Sequence, residues 1–197
     1  MTREWITDPY YILKKSKDEI VTKIRCQDGV EDIADLRKME FIPNGSLSEI
    51  SSLVSKENQE SVKILHSYSS YETRKEWVSK NIDSDYKYPI IYTVKSGDIP
   101  NIWYSSRNTN GHFGIPKLIW SNFRISSAGS IIDKDGKYGL TQFSYAIVDE
   151  IENLENIKKA FDSKKFRKLM EECSVSDMSI NRKIISTFRK DFWKKFI

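Results

Sequence analysis

Apolar positions along the chain change their spacing twice, and each change marks a different kind of structure. Near the start, Ile20, Thr22, Ile24 and Cys26 fall on one side of an extended segment and Val21, Lys23 and Arg25 on the other, so residues 19–26 predict a strand, with helix as the close alternative. Asp28-Gly29 supplies a turn, and IADLRKMEF (33–41) predicts a short helix that must stop at Pro43-Asn44-Gly45. Ser46 then stands where it can cap a helix over 46–56. Glu49 lies three residues on, and Leu47, Ile50, Leu53 and Val54 form an apolar stripe. A short strand, VKILHSY (62–68), follows, and the polar, basic SSYETRKEW (69–77) reads as a surface helix or loop in which Ser70 and Thr73 can each start a turn.

From Tyr88 to Val148 the texture becomes short β-branched and aromatic runs between turn residues: PIIYTV, NIWYSS, PKLIWSN and LTQFSYAIV, separated by SGD, NTNGHFG and DKDGKYG. The last fifty residues return to helical spacing. Leu154, Ile157 and Phe161 share a face, as do Phe166, Leu169 and Met170, and a closing helix presents Ile184, Ile185, Phe188, Phe192 and Phe196. No repeat or Gly/Ser/Pro linker divides the sequence. The order predicts a mixed α/β (α+β) single domain over 20–197, with a sheet-rich centre and C-terminal helices, preceded by an N-terminal extension over 1–19.

Composition narrows the class. A chain of 197 residues with 39% hydrophobic content buries roughly 70% of its unfolded surface, so one sizeable core is expected and general disorder is not. No apolar run approaches the ~20 residues of a membrane span, and MTREWITDPYY has neither the apolar core nor the cleavage site of an export signal. A cytoplasmic location is expected, in a bacterial, phage or viral host cell interior. Cys26 and Cys173 are far apart and read as reduced, buried thiols. The net charge of +4 permits a polyanionic partner without requiring one, but basicity is uneven: residues 158–197 hold twelve Lys or Arg against five Asp or Glu.

Complete catalytic sets are missing. Adenine methyl transfer needs a glycine-rich cofactor turn and a tetrapeptide that holds a flipped base; Thr7-Asp8-Pro9-Tyr10-Tyr11 lacks the second proline of such a tetrapeptide and reads as an aromatic turn. Asp135-Gly136-Lys137, with Asp98 as a distant partner, has half the spacing of a Mg²⁺-dependent nuclease, yet Lys134-Asp135-Gly136-Lys137 also reads as an ordinary hairpin turn. Asp133 and Asp135 before Gly136 fail the calcium-loop spacing. His66 and His112 have no cysteine or carboxylate at zinc-ligand spacing, and His66 reads as a half-buried strand residue.

Two clusters of exposed hydrogen-bonding side chains remain, on loops between strands. Ser67, Ser69, Ser70, Tyr71, Arg74 and Lys75 form one; Ser105, Arg107, Asn108, Asn110, His112 and Lys117 lie on or beside the other. Arg pairs with guanine O6 and N7, Asn with adenine N6 and N7, and Ser or Lys anchors phosphate, so these loops suit base reading; solvated loops also favour the same residues. Gly111, Gly114 and Pro116 give NTNGHFGIPK the look of a shaped loop. Lys190 and Lys194, with Arg182, Lys183, Arg189 and Lys195, either track phosphates or solvate the outer face of the closing helix. Trp103, Tyr104, Trp120 and Phe123 fit core strands better than base stacking.

At KYPIIYTV, NTNGHFGIPKLIWSN, DGKYGLTQFSYAIVD and FRKDFWKKFI, with RKMEFIPNG and SYSSYETRKEWVSK upstream, the chain resembles the C-terminal target-recognition segment of adenine-specific DNA methyltransferases of restriction-modification systems, including type IIG enzymes and viral relatives. The resemblance implies that this chain binds a specific double-stranded DNA sequence for a partner or fused adenine-N6 methyltransferase. It also implies that the two loop clusters face the duplex. The catalytic region of that family is absent, so no cofactor is expected on this chain, and S-adenosylmethionine belongs to the partner or missing catalytic domain. Two alternatives stay open: a small Mg²⁺-dependent endonuclease using Asp98, Asp135 and Lys137, and a protein-interaction module that mimics a specificity subunit.

Overall fold

The computed structural model describes residues 45–173 and 180–197 in full, and ahead of them the backbone of four strands. These are β1 (Arg3–Thr7), β2 (Tyr11–Lys15), β3 (Val21–Arg25) and β4 (Glu31–Asp35), which form one antiparallel sheet in sequence order. The strand expected over 19–26 is β3. The helix expected from Ile33 onward is corrected at its start: Ile33 pairs with Lys23 and Asp35 with Val21, so strand pairing outweighs a helical pattern too short to be stable by itself. Residues 36–44, including Pro43 and Asn44, and residues 8–10 lie outside the described residues. The boundary expected between 19 and 20 falls between β2 and β3, which are hydrogen-bonded neighbours.

The rest is built as helices, sheet and sheet in three layers. One sheet has the order β10-β9-β12-β5, from β5 (Ile64–His66), β9 (Lys117–Ser121), β10 (Ser130–Asp133) and β12 (Ser144–Ile147). The other has the order β11-β7-β8-β6, from β6 (Val78–Ser79), β7 (Tyr88–Lys95), β8 (Ile99–Ser105) and β11 (Gly139–Leu140). Period-2 alternation sorts the shared strand residues between two cores. Ile119 and Ala146 face Ile91, Val94 and Leu140 between the sheets, while Leu118, Trp120, Tyr145 and Ile147 face the helices. All five residues of β9 are buried because both of its faces are covered. This mixed α+β architecture, with its sheet-rich centre and C-terminal helices, is the fold class the sequence predicts.

Hydroxyls stitch the two sheets together. β7 bulges between Ile91 and Thr93. The Ile91 carbonyl accepts from Thr141 Oγ1 at 3.0 Å and from Ser144 Oγ at 2.8 Å, and Ser121 Oγ donates to the Val94 carbonyl at 3.1 Å.

The helical layer holds α1 (Leu47–Leu53), α2 (Ile151–Asp162), α3 (Lys164–Glu172) and α4 (Arg182–Thr187). The expected stripe Leu47, Ile50 and Leu53 is buried, but the expected cap is not made: Ser46 sits at φ 53, whereas a capping side chain needs the extended backbone. Glu49 instead reaches Lys165 at 3.1 Å. The closing helix is also corrected. It ends at Thr187, Phe188 and Arg189 run extended against Val54 and Ser61, and a 3₁₀ turn over Phe192–Lys195 follows. Hydrogen bonds from Ser55 N to Thr187 O and Val62 N to Phe188 O explain the break, since this backbone is held by another segment. Ile184, Ile185, Phe188, Phe192 and Phe196 are buried as expected.

Candidate nucleic-acid interface

The loop over 105–117 is fixed along its length. Tyr71, fully buried, donates its hydroxyl to the Arg107 carbonyl at 3.2 Å and the Thr109 carbonyl at 2.6 Å. Its burial pushes the phenol pKa up, so it stays a donor. Leu140 N donates to Gly111 O at 3.0 Å, and Gly114 N donates to Gly136 O at 2.8 Å. Asn110 at φ 58 and His112 at φ 62 hold the left-handed backbone that Asn and His tolerate better than bulky side chains. At the far end Lys117 is fully buried. Its ammonium donates to Asp133 Oδ2 at 2.8 Å and Ile115 O at 3.0 Å, and desolvation pulls its pKa below the ordinary value against the pull of Asp133.

Asp133 holds a second segment against this loop. Its carboxylate accepts from Lys137 N at 2.8 Å and Tyr138 N at 2.9 Å, which shapes the turn over 134–137. The turn is present but the hairpin reading is corrected: the strand that leaves it, β11, pairs parallel with β7 and not with β10. Gly136, at φ 66, packs so closely on the loop that a Cβ there would lie 2.3 Å from Ile115 N.

The two clusters that are far apart in sequence meet in space. Residues 69–77 form turns with no regular helix. Trp77 donates Nε1–H to Ser70 O at 3.1 Å, and its ring supports the Arg107 guanidinium, whose carbon lies 3.3 Å from the ring centroid. A guanidinium stacked this way uses its flat face on the ring and keeps its in-plane N–H donors for an edge-on acceptor. Trp77 was not among the residues singled out by sequence. A lone Trp two residues after Lys75 in a polar run is the signal that points to it, since a large ring among turn residues needs a partner.

The sequence-predicted residues separate into three groups. Ser69, Arg74, Arg107, Asn108 and Asn110 are exposed, and Lys75 and His112 are half-buried beside them. Arg74 meets Glu72 at 3.4 Å, and Lys75 lies 5.6 Å from the Trp77 ring. Tyr71, Ser105 and Lys117 are inside and position the loop; Ser105 Oγ accepts from Arg107 N at 3.1 Å. Lys190 and Lys194 are exposed but elsewhere. Lys190 N donates to Glu60 O ahead of β5, whereas residues 69–77 follow β5, so the two are attached at opposite ends of that strand. Lys190 lies 3.6 Å from both Glu60 and Asp149, and Lys194 lies 3.4 Å from Asp191.

The other candidate chemistry is not brought together. Asp98 pairs with Lys158 at 2.6 Å and accepts from Ser130 N at the start of β10, while Asp135 follows the end of that strand. Among the described residues no group of three or more His, Cys, Asp or Glu is placed to hold a metal ion, and no helix is long and apolar enough to cross a membrane. His66 is half-buried, with Nε2 3.3 Å from Gln142 O and Nδ1 without a partner, and burial lowers its pKa. Cys173 is a free thiol whose pKa burial raises; Cys26 lies outside the described residues. Trp120 is core, Trp103 stacks on Tyr92 and Phe123 is 38% exposed. The chain matches no protein-family model, no curated protein and no solved structure.

Proposed function

We propose that this chain is a DNA target-recognition module, which binds a specific duplex sequence and positions it for a partner or fused adenine-N6 DNA methyltransferase of a restriction-modification system. The observation that carries the reading is Arg107: exposed, flat against Trp77, and followed by Asn108 and Asn110 on a loop held by Tyr71, Gly136 and the Lys117–Asp133 pair. Base reading requires a planar donor set held at a fixed angle, because each bidentate contact must meet two acceptors at once. The resemblance of the surrounding segments to methyltransferase target-recognition segments supplies the class of partner. S-adenosylmethionine is assigned to that partner.

Equilibrium titration of duplexes, with and without a methyltransferase chain that lacks its own specificity segment, tests the proposal. Arg107→Ala is expected to cost about 1–3 kcal/mol on the preferred sequence and little on a scrambled one. Lys190→Ala and Lys194→Ala, remote from the loop, are expected to leave sequence preference unchanged. Absence of duplex binding at low salt in every combination refutes the proposal. A protein-interaction module is the second reading, favoured by the acidic residues Glu72, Glu76, Asp83 and Asp85 in and after the turn that carries Trp77. It predicts a stable complex with the partner and no affinity for DNA.

A further inference from the structure

The turn that supports Arg107 at Trp77 has another end, which the reading above does not use. There four rings run in contact from the core to solvent: Trp120 to Tyr145 at 5.6 Å, Tyr145 to His66 at 4.9 Å, and His66 to Tyr68 at 4.4 Å between centroids. Trp120 is fully buried and Tyr145 is 8% exposed, but Tyr68 is 65% exposed. The file of rings therefore ends on an open aromatic surface. Tyr68 holds that place with φ 46, a left-handed backbone that costs a bulky residue energy and marks a position fixed by its surroundings. The tight turn closed by Ser70 N donating to Ser67 O at 2.9 Å provides the constraint.

The surroundings of the ring are polar and cationic. Arg182, the first residue of α4, places its guanidinium 5.5 Å from the Tyr68 ring and 5.6 Å from the Tyr145 ring. The His66 ring packed against Tyr68 is itself held from below, with Nε2 3.3 Å from the Gln142 carbonyl, so the platform has a fixed base.

We propose that Tyr68, with Arg182 beside it, is a stacking platform for one unpaired nucleobase, which adds a fifth ring to the file. A bare phosphate would use Arg182 but has no use for an exposed ring. A paired base has both faces covered by its neighbours, so an extrahelical or single-stranded base fits the platform where a duplex interior does not. This inference rests on the nucleic-acid reading and adds a second contact to it, at the opposite end of the turn from Arg107.

Two duplexes of the same sequence serve as probes, one fully paired and one carrying a single extrahelical 2-aminopurine, with the full chain titrated against each. The extrahelical probe is expected to bind about tenfold tighter, as stacking on an aromatic side chain gives, with its fluorescence changing on binding. Tyr68→Asn removes the ring and suits a left-handed backbone, so it is expected to fold and to erase the advantage. Tyr68→Trp is expected to keep it. Equal affinity for the two probes, or an advantage that survives Tyr68→Asn, overturns the platform and leaves the duplex-reading proposal standing. Failure to bind either probe overturns the platform, and it overturns the duplex-reading proposal too when adding a methyltransferase chain at low salt does not restore binding.

Discussion

The buried pair Lys117 and Asp133 yields the prediction with the most structural detail behind it. Lys117→Met removes the ammonium and keeps most of the side-chain length. Asp133 then retains two backbone donors, Lys137 N and Tyr138 N, at 2.8 and 2.9 Å. Removing one partner of a buried ion pair costs about 3–5 kcal/mol, and the two remaining donors place Lys117→Met near 3 kcal/mol. Asp133→Ala is worse. It leaves a fully buried ammonium with only the Ile115 carbonyl, at 3.0 Å, and frees two N–H groups of the turn, each adding about 1 kcal/mol, for a total near 5 kcal/mol. At about 2–4 °C per kcal/mol for a chain of this size, the melting temperature should fall by about 6–12 °C for the first variant and 10–20 °C for the second.

Urea denaturation with an unchanged m-value and thermal melting read these losses. The same variant also tests whether Lys117 meets phosphate. A lost phosphate contact lowers the slope of log affinity against log salt by about one, and Lys117→Met is expected to leave that slope alone. A stability loss under about 1 kcal/mol, well short of what a buried pair costs, would refute the reasoning, as would a reversed order of the two variants or a slope reduced by one.

Three further outcomes follow from single contacts. Tyr71→Phe should cost about 1–1.5 kcal/mol, since one hydroxyl serves two loop carbonyls, and should weaken preferred and scrambled duplexes unequally as Arg107 loses its fixed angle; urea denaturation and duplex titration check this. Gly136→Ala should destabilise by more than about 2 kcal/mol in the same denaturation assay, because its Cβ would meet backbone atoms of Gly114 and Ile115 on a left-handed residue; a neutral result would mean the turn does not press on the loop. His66 has a folded-state pKa lowered from 6.5, chiefly by burial, so the unfolded chain binds the proton first. Stability is therefore fully present above 6.5 and falls as pH drops below it toward the folded-state value, and His66→Phe should flatten that part of the melting-temperature profile.

The sequence shows Leu118, Ile119 and Trp120 as one short apolar strand run and 154–170 as helical faces, whereas the structure decides that Ile119 faces the second sheet and Leu118 and Trp120 face the helices. The mixed fold and most core positions were legible because burial is proportional to apolar area and strands and helices repeat with fixed periods. The candidate loops were legible too, as polar runs between strands. Their meeting was not: the 3.3 Å approach of Arg107 to Trp77 joins residues thirty apart, and no local period encodes it.

The sequence by itself determined which segments are strands in the centre, which faces are apolar, and that 105–117 has the turn residues of a shaped loop. Tertiary structure decided which polar side chains go inside. Tyr71, Ser105 and Lys117 look like surface residues in a linear string, yet each is buried because a specific acceptor or donor, from Thr109 O to Asp133, replaces water there. Tertiary structure also decided that Ile33–Asp35 extend and that the last helix breaks at Phe188, since backbone groups of another segment satisfy those residues at least as well as a helix would. Apolar burial follows composition and period, whereas polar burial depends on one partner at one distance, and that distance exists only after the chain has folded.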